Sequence, residues 1–128
     1  MSVLPLSLSQ HIVRAKAAPT SSYVAGTIVS MEDQNYVGFE IDYTKGDESN
    51  IKVKVEISVD GTNYYQEITE GASGGTITAT AAERVFAATG KYSFSISPTR
   101  GRLVKVSVVA TSGTPTGTVG INAHTAWV

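Results

Sequence analysis

Two histidines, eleven acidic residues and no cysteine bound the chemistry open to this chain. His11 stands near the N-terminus and His124 near the C-terminus, where strand parity turns it outward. A lone outward histidine is far more often solvated or at an interface than catalytic. The sequence holds neither a G-x-S-x-G elbow nor an H-E-x-x-H pair. With no cysteine and two distant histidines, a zinc site is not expected. Asp47, Glu48 and Asn50 share one polar run, and Asp60 and Asn63 share another. Calcium needs about six to eight oxygens, and the D-x-[DN]-x-[DN]-G spacing is missing. Turn chemistry explains these residues instead: Asp and Asn start turns, and Gly61 supplies a positive φ. A hydrolytic carboxylate pair would be Glu40 with Glu56, on strands that read as adjacent. Cross-strand charge pairing among Glu40, Asp42, Lys52, Lys54 and Glu56 accounts for them without catalysis. The expectation is a protein that is not an enzyme and has no cofactor and no metal.

Arg100, Arg102 and Lys105 lie within six positions, and Arg84 and Lys91 are candidates to join them. No aromatic residues interleave, as a groove for single-stranded nucleic acid requires. The net charge of −1 adds no attracting field. This basic edge reads as one that discourages sheet-to-sheet pairing or meets an acidic neighbour. Tyr64 and Tyr65 are adjacent, so a strand points them to opposite faces and they form no joint platform for sugar.

The elements that must position these residues are strands. Asn35 to Tyr43 turns Val37, Phe39, Ile41 and Tyr43 inward and Glu40 and Asp42 outward. Ile51 to Val59 alternates without a fault, placing Ile51, Val53, Val55, Ile57 and Val59 on one face. Burying five such side chains is worth on the order of 10 kcal/mol before entropy is subtracted. Further strands are expected over Tyr23–Ser30, Tyr64–Ile68, Thr76–Thr80, Glu83–Ala88, Lys91–Ser97, Arg102–Thr111 and Thr118–Val128. EGASGG reads as a flexible loop, and Trp127 shares parity with Val119, Ile121 and Ala123. Eight or nine short strands and no βαβ alternation predict an all-β antiparallel sandwich, jelly-roll or immunoglobulin-like.

Residues 1–22 differ from residues 23–128, which form the sandwich domain. They carry two positive charges, no acids and two prolines. Leu4, Leu6 and Leu8 alternate as in an extended segment, and Ser9 to Ala18 reads as a short helix capped by Ser7 or Ser9. Arg14 and Lys16 follow the apolar run and Pro5 interrupts it, so the segment reads as a mature arm and not as a signal peptide. No run reaches the roughly 18 apolar residues that span a bilayer. At 128 residues the chain buries roughly two thirds of its unfolded surface and needs no staples. Only 16% of residues are charged, which suits a surface partly covered by partners.

The segment VEISVDGTNYYQEI resembles a pattern common in β-sandwich proteins of tailed-phage particles. There a strand ends in S-x-D-G-T-x before an aromatic. Here these are Ser58, Asp60, Gly61 and Thr62, with Tyr64 or Tyr65 where tryptophan is frequent. The resemblance continues through KYSFSIS, SPTRG and RLVKVSVVAT and covers about residues 36 to 128. The same hairpin occurs in discoidin-like and carbohydrate-binding sandwiches. The resemblance implies a virion component: a capsid decoration protein, or a neck or tail-associated subunit, assembled in the host cytoplasm. It brings no catalytic residues. The expected partners are further copies of the chain, as a homo-oligomer, and other virion proteins, with no nucleic acid and no membrane. Leu4, Leu6, Leu8, Ile12, Arg14, Lys16, Arg100 and Arg102 are the expected interface residues. The alternative is a carbohydrate-binding module for glycan adhesion.

Overall fold

The computed structural model describes residues 9–31, 33–97 and 103–127. Among them are twelve strands and no helix. β1 (Ser9–Ala17) is followed by the short β2 (Val24–Ala25) and β3 (Val29–Ser30), then by the long β4 (Tyr36–Thr44) and β5 (Asn50–Ser58). Next come β6 (Tyr65–Gln66), β7 (Ile68–Ser73), β8 (Thr76–Ala81) and β9 (Arg84–Phe86). β10 (Gly90–Ile96), β11 (Leu103–Thr111) and β12 (Thr118–Ala126) complete the chain.

Alternation sorts these strands into an antiparallel sandwich. One sheet runs β1-β12-β4-β10. The other runs β2-β11-β5-β6, with β3 also beside β11 and β9 also beside β5. Counting β2 with β3, and β6 with β9, as single edge strands, the two sheets hold positions 1-8-3-6 and 2-7-4-5. Twelve strands stand where eight or nine were expected because Tyr23–Ser30 is split in two and because β1 and β7 form where a helix and a loop were expected. The inward rows Val37, Phe39, Ile41, Tyr43 and Ile51, Val53, Val55 are buried, as are Val104, Val106, Val108 and Val119, Ile121, Ala123. Each such side chain contributes roughly 1.5–3 kcal/mol before entropy.

Several local expectations give way. Ser9–Ala17 is a strand, not a helix. Pairing with β12 buries Val13, whereas a lone helix of this length is marginal in water. Its register slips twice, between Ile12 and Arg14 and between Arg14 and Ala17, as edge strands often do. Tyr23–Ser30 is two short strands, not one. EGASGG is not a loop: its first residues extend β7, and Gly74 and Gly75 make the turn to β8 with φ of 57° and 83°. Both central residues at positive φ give the two-residue turn that matches strand twist. Trp127 lies beyond the end of β12 and is exposed.

The inward row of β5 stops after Val55. Ser58 is buried, while Ile57 is half-buried and Val59 exposed. The turn causes this. Ser58 Oγ accepts the Gly61 N–H at 2.8 Å and donates to Asp60 Oδ1 at 3.2 Å. Asp60 Oδ1 also accepts the N–H groups of Thr62 and Asn63, each at 2.8 Å. Those two donors hold the Asp60 carboxyl below the usual range. The S-x-D-G-T stretch is therefore a self-satisfied turn with its serine anchored inside. Ser58→Ala leaves the Gly61 N–H without its acceptor and is expected to cost about 1–3 kcal/mol in urea unfolding. A loss below about 0.5 kcal/mol would show that water replaces the hydroxyl.

Candidate functional site

The two outer faces of the sandwich differ in how far their polar groups are already paired. On the six-stranded side, Tyr23 Oη donates to Glu83 at 2.7 Å, and Lys52 pairs with Glu83 at 3.6 Å. Lys54 sits 4.5 Å over the Tyr23 ring and 3.7 Å from Glu56. Lys105 lies 4.1 Å over the Tyr64 ring. This face is occupied by its own side chains.

The outer face of the four-stranded sheet is open. A trough of about 580 Å³ crosses all four strands. β1 contributes Ile12, Arg14, Ala15 and Lys16; β12 contributes Gly120 and Asn122; β4 contributes Glu40 and Asp42; β10 contributes Lys91 and Ser93. Strand register sets these neighbours, with Ile12 opposite Asn122, Asn122 opposite Glu40, and Glu40 opposite Ser93. Gly120 sits opposite Asp42, and Asp42 opposite Lys91. Lys16 crosses above Gly120 to reach Asp42 at 3.3 Å and donates to Thr44 Oγ1 at 3.1 Å. A second depression adjoins the first and adds Tyr36, Gly38, Ser95 and His124. A Cβ on Gly38 would lie 2.6 Å from His124 Nε2, so only glycine leaves the ring its place. Among the described residues, Glu40, Asn122 and Lys91 have no side-chain hydrogen bond or ion pair.

Three of the expected interface residues, Ile12, Arg14 and Lys16, meet in this trough. Ile12 is 68% exposed although it sits in a paired strand. Arg14 has a different task. Its Nε donates to Val119 O at 3.0 Å and its Nη2 to Ala18 O at 2.9 Å, which clamps the end of β1. Leu4, Leu6, Leu8, Arg100 and Arg102 lie outside the described residues. Glu40 and Glu56 do not meet, because β4 and β5 belong to different sheets and both residues point outward. Of the suggested basic edge, Lys105 and Arg84 are each engaged by a neighbour. Lys105 covers Tyr64, and Arg84 pairs with Glu67 at 2.6 Å and stacks 4.1 Å from the Phe94 ring centre.

A second surface escaped the sequence reading. β7 and β8 pair only with each other, and every residue in them is exposed. The register places Ile68, Glu70, Ala72, Ile77, Ala79 and Ala81 on one face. Thr69, Gly71, Ser73, Thr76, Thr78 and Thr80 share the other. Ile68 is 54% and Ile77 69% exposed. The signal was present in the Gly74-Gly75 pair flanked by alternating residues.

No protein-family model matches the chain, and no curated protein matches it. Solved structures do share its fold. The crystal structure of the SPBc2 prophage-derived protein YomS matches with a TM-score of 0.53 at 12% identity, over 98% of this chain and 97% of that one. A chain from Bacillus endospore appendages, described as disulfide-linked pili, gives a TM-score of 0.48 at 13% identity, over 100% and 96% of the two chains. The likeness to the prophage-derived protein is one of fold, extending over nearly the whole of both chains.

Proposed function

We propose that this chain is a non-enzymatic structural subunit of a phage-type particle. It is a decoration, neck or tail-associated protein that acts by assembling as an oligomer on a larger body. The observation that carries this reading is the fold shared end to end with a prophage-derived protein. The strand positions 1-8-3-6 and 2-7-4-5 support the jelly-roll alternative, a double-sheet architecture common in capsid and lectin domains. The test is location. A tagged chain expressed in a host producing the particle is expected to co-sediment with density-purified particles, and recovery only from the soluble fraction would sink the reading. The role expected of Leu4, Leu6 and Leu8 has its own test. Removing residues 1–8 leaves β1 whole and is expected to raise the concentration needed for assembly by roughly tenfold or more, read by light scattering. An unchanged assembly curve would remove the arm from the interface.

The trough favours one second reading, a glycan-binding face. Glu40, Asn122 and Lys91 offer unpaired donors and acceptors beside the Tyr36 and His124 rings, whose centres are 6.1 Å apart. Titration of an oligosaccharide panel against the chain, followed by amide shifts at Glu40 and Asn122, decides it.

A further inference from the structure

The β7–β8 hairpin has no core of its own. A lone two-stranded ribbon is at best marginally stable in water, yet this one is fastened firmly at its root. The Ala82 N–H donates to Glu67 O at 2.8 Å, Gln66 Nε2 donates to Ala82 O at 3.1 Å, and Arg84 holds Glu67. The ribbon thus presents an apolar face with a single charge, Glu70, and Glu70 has no ion partner among the described residues. The trough is the counterpart. Lys91 is the one described Lys or Arg with no ion pair, hydrogen bond or ring contact, and Ile12 lies bare across the same face. The small Ser93 keeps the floor low on the β10 side, next to Lys91.

We propose that the β7–β8 hairpin of one copy of this chain lies in the trough of the next. Its Ile68 and Ile77 meet the apolar side at Ile12, and Glu70 faces Lys91. This deepens the assembly reading above and rests on it. The contact is heterologous, joining two different patches of one chain, so repetition gives a ring or a filament. A six-residue ribbon covers roughly 20 Å by 10 Å. That is well below the roughly 800 Å² per partner of a stable pairwise interface. A single contact is therefore weak, and repetition on a ring or carrier makes it tight.

The full-length chain is tested by charge exchange and by cross-linking. Glu70→Lys and Lys91→Glu are each expected to raise the assembly concentration about tenfold or more in light scattering, and the double exchange to restore most of it. Both positions are exposed, and circular dichroism confirms that the variants fold. In the cysteine-free background, Ile77→Cys chains mixed with Ile12→Cys chains are expected to give disulfide dimers, while Ile77→Cys chains alone do not. If the wild type assembles and the charge variants assemble equally well, the hairpin contact is overturned while the subunit reading stands. Ile77→Cys chains linking mainly to themselves also overturn it, in favour of hairpin-to-hairpin pairing. If the wild type stays at the 13.5 kDa monomer mass at every concentration and on particles, both readings fall together.

Discussion

Glu48→Gln is expected to lower stability by about 3 kcal/mol at neutral pH, or roughly 10 °C in melting temperature. Glu48 is fully buried, in a run of sequence that otherwise reads as a solvated loop. Its Oε2 accepts Tyr43 Oη–H at 2.6 Å and the Gly46 N–H at 2.6 Å, and its Oε1 accepts the Gly117 N–H at 2.9 Å. One carboxylate thereby ties the β4–β5 loop to the β11–β12 loop. An amide of the same shape loses the charge on these bonds and turns an NH₂ group towards an N–H. Charge-assisted bonds contribute roughly twice what neutral ones do. Thermal unfolding followed by circular dichroism checks the size. A loss under about 1 kcal/mol would show that the neutral amide serves as well.

The same residue sets the acid limit. Burial alone raises the Glu48 carboxyl, but the bonds from Tyr43, Gly46 and Gly117 outweigh it and bring it down from 4.5 to about 2. A carboxyl depressed in the folded state contributes stability that is complete above its unfolded value. That contribution drains as pH falls from about 4.5 towards about 2. Its size is on the order of 2–3 kcal/mol. Stability of the wild type is therefore expected to fall across this window, and the Glu48→Gln curve to be flatter there. Parallel curves for the two proteins would place the acid sensitivity elsewhere.

The core strands were legible because each buries one face against a second sheet, so alternation and burial coincide. Val37, Phe39, Ile41 and Tyr43 follow that rule without exception. Alternation says nothing about which strands share a sheet. Glu40 and Glu56 were therefore set side by side in sequence although β4 and β5 lie in different sheets. The hairpin is the reverse case. Its alternation is as regular as that of β5, but no second sheet lies beneath it, and its small Thr, Ala and Gly residues masked the pattern. Glu48 was unreadable for another reason. Its burial depends on Gly117, 69 residues away. The trough was half visible: Ile12 and Lys16 stood out by type, but only the pairing of β1 with β12 brings them beside Asp42 and Asn122.

Phe39→Ala is expected to cost about 3–5 kcal/mol, enough to leave little of a typical domain's stability. Phe39 is buried, stands opposite Phe94 on one side and Ala123 on the other, and its ring lies 5.1 Å from that of Phe94. The small Ala123 leaves room that the Phe39 ring fills, so truncation leaves a void that neighbouring strands cannot close. Phe39→Leu keeps most of the volume and is expected to lose under about 2 kcal/mol. Urea titration measures both, and equal losses would show that ring shape matters more than volume. The pair also calibrates the surface tests. Phe39 points into the sandwich, is 1% exposed, and does not line the trough. Phe39→Leu is therefore expected to assemble like the wild type despite its lower stability. Glu70→Lys, on an exposed ribbon, is expected to keep stability within about 0.5 kcal/mol and lose assembly. Opposite responses of these two variants would separate a contact between copies from a general weakening of the fold.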